Sequence, residues 1–266
     1  MKSLVQPMTD KQKTPNSYKT SRPRKMSGGK PTAPKRDRKT QPKSEESATR
    51  LMHTRVKTAR GRKIGSKLWL ERQINDPYVK KAQMMGYRSR AAFKLEELDE
   101  KFSLIKENSL VVDLGCAPGG WVQIAMQRGA ERVVGIDLLP VDVIAGSDLL
   151  EMDFMDEKAP DAIKSLLGRA PDVVLSDLAA NTTGHRQTDH LKTVALVDAA
   201  AYFAMEVLKP GGHFVTKVFQ GGAEKTLLDT LKVNFKSVKH AKPKSSRKGS
   251  PEIYLVALGF KGRKQT

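Results

Sequence analysis

The fold of this chain is decided by the stretch Val111-Val112-Asp113-Leu114-Gly115-Cys116-Ala117-Pro118-Gly119-Gly120-Trp121. Residues 110–112 are apolar and uncharged, which is typical of a buried parallel strand. Three glycines and a proline follow between 115 and 120, so the chain must turn sharply there. The apolar spacing over 122–126 then predicts a helix. A strand, a glycine loop and a helix in this order point backbone N–H groups and a helix N-terminus at a ligand.

The loop also indicates what kind of ligand binds. A dinucleotide-binding loop has the pattern G-x-G-x-x-G, but Ala117 stands at the second glycine position, which a pyrophosphate requires. Asp113 suits a cationic or amine-bearing ligand better than a polyphosphate. A second apolar run, 132–136, leads into Asp137, whose carboxylate can accept hydrogen bonds from both hydroxyls of a ribose. The pattern favours S-adenosylmethionine over NAD. The alternative is a glycine loop that only closes a strand–helix–strand unit.

The charge of the chain is concentrated near its start. The 266 residues carry 48 Lys and Arg against 29 Asp and Glu, a net charge of +19, and residues 1–65 hold 19 of the basic side chains against 4 acidic ones. Such a block attracts polyanions, although a solubilising tail has the same composition. Large apolar residues are almost absent between 7 and 50, so the segment cannot offset its ordering entropy. We predict a disordered basic extension over 1–66 and one folded domain over 67–266.

Several classes of protein are disfavoured by composition. Cys116 is the only cysteine, which excludes an intramolecular disulfide and a thiolate zinc site, and no His/Cys/Asp cluster has ligand spacing, so no metal is expected. The chain has no apolar run of about 18 residues and no apolar signal region, so neither a membrane span nor secretion is expected. Prolines in the first 42 residues would interrupt the amphipathic helix of a mitochondrial presequence. We expect a cytoplasmic monomer.

Strand and helix patterns alternate from residue 110 onward. The predicted strands are 110–114, 132–137, 149–153, 172–177, 212–219, 236–241 and 252–260. The predicted helices are 121–129, 160–168, 190–208 and 222–234, after two short helices between 67 and 85 and a third that Ser89 would cap. This alternation predicts an α/β domain with a parallel sheet, whose ligands bind beyond the carboxyl ends of the strands.

Charged residues at the predicted strand ends are therefore candidates for a site. Asp137, Asp153 and Asp177 each end a strand, where a helix N-cap is the alternative role for one acid alone. Lys217 interrupts an apolar strand, which is costly unless the lysine is paired or functional. Glu252 begins the last strand, and an antiparallel last strand would bring it to the same edge. Asp153 could accept a hydrogen bond from an adenine amino group, and Asp177 could meet the ligand's charged end.

A basic loop precedes the last strand. Residues 242–248 read Lys-Pro-Lys-Ser-Ser-Arg-Lys, which suits phosphate, although a solvated charge run would look the same. We predict an RNA-binding surface formed by Arg88, Arg90, Lys242, Lys244, Arg247 and Lys248.

Taken in order, these motifs resemble those of the FtsJ-type ribosomal RNA 2′-O-ribose methyltransferases, the RlmE (also RrmJ) group. The resemblance covers about 67–261 and is carried by Arg88 to Leu95, Asp113 to Trp121, Asp137 to Pro140, Ser176 to Ala179, Val215 to Gly221, Ser245 to Arg247 and Glu252 to Tyr254. It implies a Rossmann-like class I S-adenosylmethionine-dependent methyltransferase fold, with a seven-stranded, mostly parallel sheet, an antiparallel last strand and helices on both faces. Two positions depart from the expected bacterial pattern: Cys116 replaces an alanine and Ala180 a proline, and neither change removes a polar group.

The resemblance also implies roles for individual residues. The family's Lys-Asp-Lys-Glu tetrad falls on Lys94, Asp177, Lys217 and Glu252. The family's cofactor contacts fall on Gly119, Trp121, Asp137, Asp153 and Asp177. With Asp113, Gly115, Pro118 and Gly120 from the same glycine loop, they form the predicted S-adenosylmethionine site. The implied partner is large-subunit (23S-type) rRNA or the large ribosomal subunit during ribosome maturation, and the implied substrate is a uridine ribose in the loop that receives aminoacyl-tRNA.

A ribose 2′-hydroxyl is a poor nucleophile near neutral pH and needs a base or a strongly stabilising electrostatic setting. We expect Lys217 to be this base, because burial and the cation Lys94 both favour its neutral amine while Asp177 orients it and opposes that change. Three alternatives stay open here. They are a methyltransferase acting on small molecules or protein, an NAD-dependent oxidoreductase, and a non-catalytic RNA-binding ribosome assembly factor that keeps the fold.

Overall fold

A computed structural model of the chain describes residues 64–180, 184–219 and 225–263. The helices are α1 (Ile64–Ile74), α2 (Pro77–Met84), α3 (Ala92–Phe102), α4 (Gly120–Gln127), α5 (Ala159–Leu167), α6 (Arg186–Val207) and α7 (Lys225–Asn234). The strands are β1 (Leu110–Leu114), β2 (Arg132–Asp137), β3 (Ser147–Glu151), β4 (Val173–Ser176), β5 (His213–Phe219), β6 (Phe235–Ala241) and β7 (Glu252–Phe260). Residues 1–63 of the predicted extension lie outside the described residues. Helix α1 spans the predicted domain boundary, which stays a prediction.

All seven strands form one sheet in the order β3-β2-β1-β4-β5-β7-β6. Strands β1 to β5 pair in parallel, whereas β7 runs antiparallel to both β5 and β6. The predicted sheet, mostly parallel with an antiparallel last strand, is confirmed. Because β7 is reversed, Glu252 at its start pairs with Phe219 at the end of β5. The start of β7 therefore lies at the carboxyl edge of the parallel strands.

Helices cover both faces of the sheet, as predicted. Every residue of β1 and β4 is buried, which explains why these strands do not alternate and are apolar except at Asp113 and Ser176. One core packs residues of α5, α6 and α7 against the sheet, and the other packs residues of α2, α3 and α4 against the opposite face. Within the described ranges, no helix has the length and apolar character to cross a membrane.

Three local predictions were wrong. Strand β3 covers 147–151 rather than 149–153, because its ladder ends where β2 ends, with Asp137 paired to Glu151. Ser89 does not cap α3, which begins at Ala92; the Ser89 Oγ instead accepts a hydrogen bond from the Ala91 N–H. Helix α6 begins at Arg186, four residues early, because its first turn has no apolar residue to reveal the period. The predicted start of α7 at 222 lies outside the described residues.

Candidate active site

The glycine loop between β1 and α4 uses its N–H groups internally. The N–H groups of Gly115 and Cys116 both donate to the Ile136 carbonyl, at 2.8 and 3.2 Å. The Gly119 N–H donates to the Cys116 carbonyl at 2.6 Å, and the Ala117 N–H donates to Asp137 Oδ2 at 2.9 Å. These four donors are therefore not available to a pyrophosphate, which agrees with the argument from Ala117 against a dinucleotide.

The glycines at the start of α4 are required by close packing. Gly119 is the N-cap of α4 with φ 104°, a left-handed conformation that favours glycine. A Cβ at Gly120 would lie 2.6 Å from the Ser89 Oγ, so the segment before α3 packs directly on this backbone. Trp121 is buried, and its indole N–H donates to the Ala91 carbonyl at 2.8 Å. The predicted cofactor loop is thus fixed in place by the residues that precede α3.

Carboxylates gather beside this loop. Asp137 accepts the Ala117 N–H through Oδ2 and the Leu139 N–H through Oδ1, both at 2.9 Å, so its carboxylate holds two loops together. Asp153 lies two residues beyond β3, and its Oδ1 accepts the Met155 N–H at 2.9 Å. Asp177 follows β4 directly. Asp137 is the last residue of β2, and Asp153 and Asp177 lie just beyond β3 and β4, so all three acids lie at the carboxyl edge of the sheet, as the sequence predicted.

Asp113 is the most unusual of these acids. It is 1% exposed, and neither of its carboxyl oxygens has a hydrogen-bond partner among the described residues. Burial raises its pKa well above the ordinary aspartate value, and the negative charges of Asp177 and Asp137 raise it further. The raised pKa favours the neutral form of Asp113 in the free protein, and a cation brought beside it would favour the ionised form.

The state of Asp113 leads to a prediction about stability. The unfolded chain releases this proton near pH ~3.9, whereas the folded protein retains it to higher pH. The unfolded state therefore binds fewer protons from about pH 4 upward, and the free energy of unfolding falls as the pH rises through the raised pKa. Between pH 5 and pH 8 the free energy of unfolding should fall in both proteins. In Asp113→Asn, measured by urea unfolding without ligand, this fall should be smaller than in the unsubstituted protein by at least ~1 kcal/mol. The exposed Asp161→Asn is the matched control, and equal losses in all three proteins would contradict the assignment.

The four tetrad residues come together as two ion pairs. Lys217, buried on β5, places its Nζ 2.6 Å from the backbone oxygen of Asp177 and 3.2 Å from its Oδ1. Lys94, from α3, places its Nζ 2.7 Å from Oε1 of Glu252. Both pairs are largely withdrawn from solvent, where an ion pair is held firmly and an unpaired charge would be costly. The structure thus brings together residues that lie as far apart in the sequence as Lys94 and Glu252.

Tyr254 links the two pairs, and the sequence analysis missed it. It is fully buried, directly opposite Lys217 in the β5–β7 ladder, and its hydroxyl donates to Oδ1 of Asp177 at 2.9 Å. Its ring lies 5.8 Å from Nζ of Lys94 and 5.8 Å from the ring of Trp121. Burial, together with the charges of Asp177 and Glu252, raises the pKa of Tyr254, so the hydroxyl remains a donor. Cross-strand pairing of an antiparallel β7 with β5 is the signal that could have found it.

The predicted RNA-binding residues have three different kinds of surroundings. Arg88 donates to the backbone oxygens of Pro118, Asp142 and Val143, so its guanidinium joins the glycine loop to the segment after β2. Arg90 and Arg247 both bind Asp76, at 2.8 and 3.2 Å. In the loop after β6, the Lys242 Nζ donates to the Ser250 carbonyl at 2.7 Å and the backbone N–H of Lys244 donates to Glu97, whereas Lys248 is exposed.

Together these features define an α/β protein with a glycine loop, three carboxylates and two largely buried lysine–carboxylate ion pairs at the carboxyl edge of its sheet. In the part of the chain that the structure describes, no group of three or more His, Cys, Asp or Glu side chains could hold a metal ion.

Comparison with known proteins identifies the family. The model of the FtsJ-like methyltransferase family matches residues 87–260. A ribosomal RNA large subunit methyltransferase E from Maricaulis maris is 61% identical over 215 residues, which are 81% of this chain and 77% of that protein. The protein of the same name from Granulibacter bethesdensis is 54% identical over 236 residues, 89% of this chain and 97% of that protein. The chain belongs to the FtsJ-like methyltransferase family, as the resemblance of its motifs predicted.

The fold has also been seen in a solved structure. A Plasmodium falciparum protein, described as a ribosomal RNA methyltransferase, is 32% identical and superposes with a TM-score of 0.59, covering 66% of this chain and 100% of that chain.

Proposed function

We propose that the protein transfers a methyl group from S-adenosylmethionine to the 2′-oxygen of a uridine ribose in large-subunit rRNA, in the cytoplasm. The observation that carries this proposal is the buried Lys217–Asp177 pair, which lies at the same strand edge as Asp137 and Asp153. The names of the relatives support an rRNA substrate. The two ion pairs argue against a binding protein that only keeps the fold, because such a protein has no need of buried paired lysines.

The residues beside the glycine loop fit S-adenosylmethionine. When bound, this cofactor supplies a methyl group on a positively charged sulfur, which makes the carbon electrophilic. The unpartnered buried carboxyl of Asp113 suits a ligand that carries positive charge. Asp137 is placed to hold the ribose, with the exposed Leu138 and Leu139 beside it as an apolar surface for adenine. Asp153 is placed to accept from the adenine amino group, and Gly115, Pro118, Gly119, Gly120 and Trp121 form the adjoining loop.

Lys217 acts as the base in this proposal. Its Nζ is fixed by two contacts to Asp177, so its remaining direction is defined, and in its neutral form it accepts the proton of the 2′-hydroxyl. Lys94, held by Glu252, is a second cation in the site. Much of the acceleration comes from holding the hydroxyl in line with the methyl group.

Tyr254 is a positioning residue in this account. Tyr254→Phe removes the hydrogen bond to Asp177 and leaves the ring in place, so we expect kcat to fall about tenfold while the KM for RNA stays within about twofold. Tyr202→Phe, which removes an exposed hydroxyl, is the matched control. The assay is methyl transfer to large ribosomal subunits at saturating cofactor, and an unchanged kcat would remove Tyr254 from the mechanism.

The basic extension leads to a prediction about RNA affinity. Residues 1–63, which precede α1, carry 19 basic and four acidic side chains. Deleting them should weaken RNA binding and flatten its salt dependence, because each phosphate that the protein neutralises adds ~0.9 for duplexes or ~0.7 for single strands to the slope of log K against log salt. Cofactor affinity is the internal control and should not change, and turnover at saturating RNA should change much less than affinity. The same RNA affinity and slope before and after deletion would assign the extension another role.

Incubation with labelled S-adenosylmethionine tests the proposed function as a whole. Large ribosomal subunits that lack the modification should accept label, while small subunits should not. No transfer to either subunit, together with retained RNA binding, would instead support the non-catalytic assembly factor.

A further inference from the structure

A cavity lies next to the tetrad. It measures about 760 Å³, within the range of small-molecule sites, and lies between the α1–α2 turn and the loop that precedes β7. We call it the basic cavity, and its principal walls are Leu68, Pro77, Tyr78, Arg90, Arg247 and Lys248.

The charge of the basic cavity suits an anion. Its lining includes five basic side chains and two acidic ones, namely Arg72, Arg90, Lys244, Arg247 and Lys248 against Glu71 and Asp76. Asp76 is contacted by both Arg90 and Arg247, so one carboxylate is shared between two guanidinium groups. The Nε of Arg90 is buried and has no hydrogen-bond partner among the described residues. A phosphate would find more positive charge in this lining than the protein's own carboxylates neutralise.

Part of the cavity lining is apolar, which a bare phosphate does not need. Leu68 is 49% exposed, and Pro77, the first residue of α2, is exposed beside it. The Tyr78 ring is held in place by the Phe93 ring, whose centroid lies 5.5 Å away. The basic residues suit an anionic group and the apolar residues suit a flat ring. A nucleotide has both of these parts, in its phosphate and its base.

The basic cavity shares residues with the tetrad's surroundings. Ser246 lines the cavity, and its hydroxyl donates to Oε1 of Glu252 at 3.0 Å. The same carboxylate oxygen binds Lys94. Arg90 lies four residues before Lys94 and donates to the Ser245 carbonyl. A ligand in the cavity would therefore lie close to the tetrad, because Ser246 both lines the cavity and contacts Glu252.

From this arrangement we infer that the basic cavity holds one unstacked nucleotide adjacent to the nucleotide that is methylated. The inference rests on the proposed function, since it takes the tetrad to act on an RNA ribose. The phosphate of the nucleotide in the cavity lies against Arg247 and Lys248. The base of that nucleotide lies on the apolar residues Leu68, Pro77 and Tyr78. The substrate must then present at least two consecutive unpaired nucleotides, as a loop does and a continuous duplex does not.

Binding of a fluorescent uridine hexanucleotide to the full chain tests this inference. Arg247→Ala and Lys248→Ala should each weaken binding about tenfold and lower the salt slope by about 0.7, because each variant lacks one cation that neutralises a phosphate. Lys106→Ala is the matched control, because Lys106 is exposed and lies just before β1, at the opposite edge of the sheet from the tetrad. The affinity of this variant for the hexanucleotide should change less than about twofold. Lys248 is exposed, so its variant remains informative if removing Arg247 from Asp76 impairs folding.

Cross-linking of a hexanucleotide containing 4-thiouridine locates the bound base. Cross-links should map to 68–78, and they should disappear in the Arg247→Ala variant. The inference is overturned if both cavity variants bind like Lys106→Ala, or if the cross-links map outside 68–78. Neither measurement involves methyl transfer, so a protein that methylates large subunits but fails this test loses only the cavity assignment.

Discussion

Lys217→Met is expected to lower kcat for methyl transfer by about 10²- to 10⁴-fold, the usual contribution of a positioned acid or base. Methionine has a similar length and fits the apolar strand, but it cannot accept the proton of the 2′-hydroxyl. Because Lys217 contacts Asp177 and not the glycine loop, the affinity for S-adenosylmethionine should change much less than kcat. Single-turnover methylation of large subunits and calorimetry with the cofactor measure the two quantities.

The matched control for this substitution is Lys239→Met. Lys239 lies in the same sheet, on the edge strand β6, and is exposed. The Lys239→Met variant should methylate at the rate of the unsubstituted protein. That result would show that removal of a lysine from a strand does not by itself impair activity. Turnover by Lys217→Met near that of the unsubstituted protein would remove Lys217 from the mechanism.

Asp137→Ala is expected to weaken S-adenosylmethionine binding about 100-fold or more. Two ribose hydroxyls would lose a shared acceptor, and each charge-assisted hydrogen bond contributes ~1.5–3 kcal/mol. The structure adds a second reason, because the same carboxylate accepts the Ala117 and Leu139 N–H groups and so keeps both loops in place. Asp137→Asn retains one acceptor oxygen and should lose less affinity than the alanine variant.

Calorimetric titration with S-adenosylmethionine checks this prediction. The exposed Asp161→Ala removes an equal charge from the first turn of α5 and should bind the cofactor normally. Equal affinities for the unsubstituted protein and Asp137→Ala would place the cofactor elsewhere.

The parts of the fold that were predictable are those fixed by burial. Strands β1 and β4 are buried at every position, so their apolar runs marked their boundaries to within a residue, and the acids that follow strands had to lie at one edge. Lys217 was recognisable because it is the charged residue in an otherwise apolar run. Strand β3 is only half-buried or exposed, and its boundaries were accordingly misplaced by two residues.

Contacts between distant residues were not predictable in the same way. In the sequence, Tyr254 cannot be distinguished from any other buried residue of a strand. Only the β5–β7 register places it against Asp177. The contact of Arg247 with Asp76 joins residues 171 positions apart, on elements whose patterns contain no sign of one another. Likewise, the pattern of the glycine loop predicted backbone N–H groups that point at a ligand. Four of these N–H groups instead donate hydrogen bonds within the protein. Such features depend on how elements are placed, which local periodicity does not encode.

The most direct test of the account is to find which atom of the RNA receives the methyl group. Large subunits lacking the modification are incubated with labelled S-adenosylmethionine and the full chain, and the rRNA is digested to nucleosides and analysed by mass spectrometry. The account predicts that the label appears as 2′-O-methyluridine with the unsubstituted protein and is absent with Lys217→Met. Label on a base, or on a ribosomal protein, would contradict it.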